Sequence, residues 1–206
     1  MNAQKIFKFL LEKIHTVVVA TNNGEKLPVT CAIDIMNSDE GGLYFLTAKG
    51  KNLYKRLTDN DYLSFTGIKG ENTLSCVAVS VCGKVKEVGR EPLQRMFNKN
   101  PYMNEIYPTE ESRSSLTVFY IYQGNGEWFD LSKKPIERFS FVFGDNLNRP
   151  DGYFINDGCC GCGECLKVCP QNCIVFKNKK AFIKQNNCLH CGNCFNICPN
   201  KSVERR

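Results

Sequence analysis

CCGCGECLKVCP, residues 159–170, and CLHCGNCFNICP, residues 188–199, are two copies of one pattern. Each reads Cys, two residues, Cys, two residues, Cys, three residues, Cys, Pro. An offset of 29 residues lays Cys159 on Cys188, Cys162 on Cys191, Cys165 on Cys194 and Cys169 on Cys198. The shoulders CPQNCI and CPNKSV stay in step, so the stretch is an internal repeat. Three thiolates placed three residues apart on a tight loop reach three irons on one face of a cubane. The fourth ligand is exchanged between the copies. The pattern therefore assigns one 4Fe-4S cluster to Cys159, Cys162, Cys165 and Cys198, and a second to Cys188, Cys191, Cys194 and Cys169. Pro170 and Pro199 stop the short helices that deliver Cys169 and Cys198, because proline cannot continue the helical ladder. Gly161, Gly163 and Gly192 let the backbone pass close to inorganic sulfide.

The rival uses of cysteine fit less well. Zinc sites pair two short Cys motifs, whereas eight cysteines stand here in two copies of a four-cysteine spacing. A disulfide framework belongs to secreted chains, and Glu12, Lys13 and His15 interrupt the apolar N-terminal run before it can serve as a signal peptide. Both runs resemble the bacterial two-cluster ferredoxins, over roughly Tyr153 to Val203.

Of the 206 residues, the cluster-binding part needs only residues 153–206, leaving 1–145 for a second domain and DNLNRPDG, which covers the linker 146–152, as a turn-rich boundary. A part of about fifty residues buries too little apolar surface to stand alone, so its clusters act as a staple. The formal charge of +6 counts every cysteine as neutral. Eight thiolates around two oxidised cubanes of about +2 each bring the loaded chain to about +2. The basic excess is thus no argument for nucleic acid. No run reaches the eighteen or so apolar residues of a membrane span. The expectation is a cytoplasmic chain with neither a nucleic-acid nor a membrane partner.

In residues 1–145, Ile6, Phe7, Leu10, Leu11 and Ile14 recur at helical spacing, giving an opening helix from Asn2 to Lys13. The β-branched run from Thr16 to Thr21, the NNGE turn and LPVTCAIDIM form a hairpin. LYFLT follows, ending at Thr47, and AKGKNLYKRLTDN reads as a basic helix with Leu53 and Leu57 inward. YLSFTGI, the long strand from Ser75 to Val88, a helix from Glu91 to about Lys99, the separate strands SLTVFYIYQG and GEWFDL, and ERFSFVFG complete the set. Many strands with brief helices predict a closed or partly closed antiparallel barrel.

The order of helix, strand with Ala20 and Thr21, turn at Gly24, Pro28, the LYFLTAKGKN passage, SVCGKVKEV and GEWFDL is similar to the FMN-binding split barrels related to pyridoxamine 5′-phosphate oxidase. The resemblance implies a mainly β split barrel with short helices, followed by an α+β ferredoxin-like domain. It implies FMN at a homodimer interface, with Thr47 and Lys51 at the phosphate and Lys49 and Asn52 beside them. A helix N-terminus with adjacent lysines suits an anion. The alternative is that Lys49, Lys51, Lys55 and Arg56 form a solvated face. The resemblance also places Thr30, Cys31 and Ala32 along the flavin ring and lets Trp128 approach it from the other subunit; the alternative for Trp128 is a core position. Val77, Ala78 and Val79 stand where the oxidase itself carries polar residues, so pyridoxamine phosphate oxidation is not expected.

Cys160 and Cys173 align with Leu189 and Ser202, so neither is a ligand, and Cys173 is expected beside a cluster. His190 is expected to face solvent or to hydrogen-bond to a cluster. Cys76 and Cys82 read as small core residues, and His15 shows no partner in the sequence. Two one-electron carriers beside a flavin predict an FMN-dependent oxidoreductase acting on a small organic or flavin-like substrate. It would exchange electrons with a low-potential donor or acceptor protein. The alternatives are a non-catalytic carrier or redox sensor whose barrel serves for dimerisation or docking, and a barrel that holds haem or a deazaflavin.

Overall fold

The computed structural model describes residues 2–145 and 151–206; positions 146–150 of the expected linker lie outside the described residues. The chain divides into two compact units. One contains the residues up to Lys69, Ala78–Glu127 and the stretch from Phe141. The other contains Gly70–Val77, Trp128–Ser140 and the residues from 151 onward. The unit carrying the cysteines thus takes in two stretches that the sequence reading gave to the barrel.

In the first unit α1 (Ala3–Phe9) starts where the Asn2 side chain accepts from the Lys5 amide, and it buries Ile6 and Phe7 fully. The expected helix to Lys13 changes character at Leu10. Leu10–Ile14 form a π-helical turn, and His15 leaves it with φ 64° and ψ −66°. The hairpin β1 (Thr16–Asn22) and β2 (Pro28–Asp34) pairs Thr16 with Asp34 and Asn22 with Pro28. Next come β3 (Asn37–Ser38), β4 (Leu43–Ala48), α2 (Asn52–Asp59), β5 (Tyr62–Lys69) and β6 (Val77–Gly89). The helix α3 (Leu93–Lys99), single turns α4 (Met103–Ile106) and α5 (Glu110–Arg113), β7 (Leu116–Asp130) and β8 (Glu137–Phe143) follow. Leu53 and Leu57 of α2 are buried, as the amphipathic spacing predicts.

The strands lie in the order β2-β1-β5-β6-β7-β4-β3, with β8 on β7, and curl into an antiparallel half-barrel. The two expected strands SLTVFYIYQG and GEWFDL are one strand of 15 residues. The glycines between them serve close approach in place of a turn. A Cβ on Gly124 would meet the Cys82 carbonyl at 2.5 Å, and one on Gly126 would meet the Ser80 carbonyl at 2.5 Å. Leu93, Met96 and Phe97 of α3 pack with Met36, Tyr44, Leu116 and Val118. Each such buried side chain contributes about 1.5–3 kcal/mol. Buried Asn100 closes this layer, its Nδ2 donating to the Met36 and Met96 carbonyls at 2.9 and 2.8 Å.

In the second unit β9 (Tyr153–Ile155) pairs with β12 (Val203–Arg205), and β10 (Ile174–Lys177) pairs with β11 (Lys180–Ile183). Two short helices, α6 (Glu164–Lys167) and α7 (Asn193–Ile197), occupy equivalent places in the repeat. Each opens on a left-handed glycine, Gly163 at φ 82° and Gly192 at φ 79°. Backbone conformation thus gives these glycines a reason separate from the expected room for sulfide. Among the described residues no helix is long and apolar enough to cross a membrane.

Candidate cofactor sites

The eight repeat cysteines line two small cavities in the second unit. One is bordered by Cys159, Cys162, Cys165 and Cys198, with Ile155, Ala181 and Val203 as apolar wall. The other is bordered by Cys169, Cys188, Cys191 and Cys194, with Tyr153, Ile174 and Ile183. In each cavity the fourth cysteine comes from the opposite run. Among the described residues no three His, Cys, Asp or Glu side chains converge tightly enough for a single metal ion. Thiolates on a cubane each hold a different iron, and stand farther apart than four ligands about 2.3 Å from one zinc.

Backbone amides point at the thiol sulfurs. Cys173 N donates to Cys169 Sγ at 3.4 Å, Ser202 N to Cys198 Sγ at 3.2 Å, His190 N to Cys188 Sγ at 3.4 Å and Ala181 N to Cys159 Sγ at 3.5 Å. Cys173 is buried with its own sulfur 3.4 Å from that of Cys169. Burial pushes the Cys165 and Cys188 thiols up, and that of Cys194 up to about 11. Loading these sites with metal therefore releases protons.

The first unit holds a cleft of about 500 Å³ along the edge strand β2. Thr30, Cys31, Ala32, Thr47, Lys51 and Asn52 all line it. Thr47 is 3% exposed, and its hydroxyl has no hydrogen-bond partner. Lys51 occupies the N-cap of α2, where no side chain caps the helix, leaving first-turn N–H groups available. Lys49 is not among the cleft residues; its Nζ lies 3.9 Å from Glu87 Oε1. Trp128 is not among them either; it is buried and stacks on Phe139, with ring centroids 6.1 Å apart.

Arg56, counted by sequence with the solvated basic residues, also lines the cleft. It lies one helical turn after Asn52, and Thr21 on β1 accepts from its Nε at 2.7 Å. The helical spacing was a usable signal for the face, but the anchor on Thr21 comes from 35 residues away. Asp34 and Thr16 line the cleft as well. Thr16 sits opposite Asp34 in the hairpin, five residues along β1 from Thr21, about 16 Å at strand rise. The cleft is thus cationic at one end and acidic at the other. Cys82 is half-buried beside Ser64 and Tyr62, and Cys76 precedes β6, so neither is a core residue.

Several solved structures share the barrel. A NimC/NimA family protein from Clostridium acetobutylicum is 20% identical, covering 66% of this chain and 91% of that one with a TM-score of 0.53. A protein from the same organism related to general stress protein 26 of B. subtilis (pyridoxinephosphate oxidase family) is 16% identical over 66% and 94%, at 0.51. A heme binding protein from Mycobacterium smegmatis is 12% identical over 68% and 57%, at 0.53. At these identities the likeness is one of fold. No curated protein matches the chain. Residues 158–202 match the 4Fe-4S dicluster domain, and residues 3–122 match the family described as Pyridoxamine 5′-phosphate oxidase. The chain belongs to the pyridoxamine 5′-phosphate oxidase family, with a 4Fe-4S dicluster domain following the split barrel.

Proposed function

We propose that the chain is an iron–sulfur flavoprotein oxidoreductase with FMN in the β2 cleft and two 4Fe-4S clusters on its eight repeat cysteines. Its substrate is a small organic or flavin-like molecule, and its electron partner a low-potential protein. The observation that carries this reading is the buried, unpartnered Thr47 hydroxyl in a cleft also lined by Lys51, Asn52 and Arg56. An unsatisfied buried hydroxyl costs about 1–3 kcal/mol, and a phosphate oxygen offsets that cost. The donor set fits: one hydroxyl, one amide, two cations and an uncapped helix start. FMN exchanges electrons singly or in pairs when bound, while 4Fe-4S clusters exchange them singly.

The proposed homodimer has a physical basis in the same strand. Thr30 and Ala32 are exposed on the edge strand and line the cleft, and Ala32 sits opposite Val18, which is 55% exposed. A second copy covering this face would bury Val18 and reach the cleft rim. Anaerobic purification followed by iron, sulfide and flavin analysis tests the reading. The expected result is about eight iron atoms and one FMN per chain. Full iron with no flavin affinity would favour the carrier or sensor, and an extracted haem or deazaflavin would replace FMN in the barrel.

A further inference from the structure

His15 and Tyr102 stand 87 residues apart in sequence, yet His15 Nε2 lies 2.8 Å from Tyr102 Oη. Tyr102 in turn donates to Asp34 Oδ2 at 2.7 Å, and Thr16 donates to Asp34 Oδ1 at 2.6 Å. A tyrosine has one hydroxyl proton. With that proton directed to Asp34, the bond to His15 requires Nε2–H as donor. The result is a directed chain, His15 Nε2–H to Tyr102 Oη–H to Asp34, from a ring that is 32% exposed and does not line the cleft to a carboxylate, 30% exposed, that does; His15 Nε2 also lies 3.6 Å from Asp34 Oδ2.

The backbone holds His15 at a cost. Its φ of 64° and ψ of −66° are unusual for a residue with a side chain, and it follows a π-turn, a feature concentrated at functional sites. Its amide donates to Leu10 O at 2.6 Å and its carbonyl accepts from Ile35 at 2.9 Å, so both of its backbone polar groups are engaged. Tyr102 is fixed by an edge contact to the His15 ring and by Met36 Sδ at 3.6 Å. The other ionisable side chains lining the cleft are Cys31, Lys51, Arg56 and Tyr107. None of them contributes to the His15–Tyr102–Asp34 chain.

Resting on the oxidoreductase reading above, we propose that His15, Tyr102 and Asp34 form a proton relay serving the acidic end of the cleft. Asp34 exchanges the proton with a substrate that fills the cleft, and Tyr102 and His15, which do not line the cleft, connect it to solvent while the cleft is occupied. Reduction of an acceptor by two electrons takes up two protons. The electron pair comes as two equivalents from the low-potential donor protein, and one proton reaches the acceptor through Asp34. His15 takes a proton from water at Nδ1 and, as the imidazolium, gives its Nε2 proton to Tyr102 while Tyr102 passes its own to Asp34 Oδ2. Loss of the Nδ1 proton to solvent, re-protonation of Nε2 and rotation of the Tyr102 hydroxyl restore the starting Nε2–H form. The second proton comes from solvent directly.

Two measurements on the full chain test this. Nitrogen-15 NMR of the protein, which has two histidines, is expected to find neutral His15 in the Nε2–H form; the Nδ1–H form would overturn the relay. With FMN and iron loaded, 1,4-benzoquinone accepts two electrons and two protons, whereas ferricyanide accepts one electron and no proton. The ratio of quinone to ferricyanide rates should fall about 100-fold in Asp34→Asn, Tyr102→Phe and His15→Ala, with added imidazole restoring it in His15→Ala. An unchanged ratio in variants that retain FMN would overturn the relay. A wild-type chain that takes up no FMN would remove the oxidoreductase reading and the substrate step with it. The NMR result, which needs no flavin, would still decide the hydrogen-bonded chain.

Discussion

Cys173 and Ser202 stand at equivalent positions of the repeat, and the amide of each donates to the cysteine sulfur four residues earlier, Cys169 at 3.4 Å and Cys198 at 3.2 Å. Each of those sulfurs borders the cavity otherwise bounded by the opposite run. The cavities therefore interlock the two runs. Cys198→Ala is expected to empty the site of Cys159, Cys162 and Cys165, and Cys169→Ala that of Cys188, Cys191 and Cys194. Iron per chain should fall by about half in each single variant and vanish in the double. Loss of all iron from either single variant would show that neither site forms without the other.

Thr47→Val separates ligand binding from folding. Without a ligand the variant removes a buried, unpartnered hydroxyl, so the apo-protein should gain about 1–2 kcal/mol in denaturant unfolding. FMN affinity should fall in the same protein. A variant that loses stability without flavin would mean that the hydroxyl has a partner in the folded apo-state.

Lys51→Ala and Arg56→Ala each remove one cation from the cleft. Each should weaken FMN binding about 10- to 100-fold, as loss of a charge-assisted hydrogen bond does. Iron content should be unchanged. Lys49→Ala, whose side chain is directed to Glu87, should change FMN affinity far less. Fluorescence titration of released and rebound flavin measures all three.

Asp39 gives the barrel an acid-side dependence. Burial raises its carboxyl, but bonds from the Tyr44 and Tyr120 hydroxyls and the Gly41 and Gly42 amides outweigh this and hold it below the ordinary carboxylate value. A depressed folded-state value means stability present above the unfolded value and lost as pH falls through the folded one. Asp39→Asn should therefore flatten stability against pH on the acid side. Thermal unfolding of both proteins across that range measures it.

Asn100→Ala should destabilise the barrel by about 1–3 kcal/mol, because the Met36 carbonyl loses its Asn100 donor inside a buried layer. Denaturant unfolding followed by far-ultraviolet circular dichroism would report it.

The sequence by itself determined which cysteines border each small cavity, because three of them are neighbours in the chain and the repeat names the fourth. It also determined the hairpin from Thr16 to Asp34 and the inward face of α2, where turn chemistry and helical spacing act over a few residues. Tertiary structure alone decided the continuity of β7. Gly124 and Gly126 read as the junction of two strands until β6 is brought against them. It also decided that Lys49 turns to Glu87 while Arg56 turns to the cleft, a choice made by partners 38 and 35 residues away. His15 had no partner within reach of any local pattern. Only the folding of the chain across 87 residues brings Tyr102 to it, and a hydrogen bond has no signature in sequence when its two ends are set by separate elements.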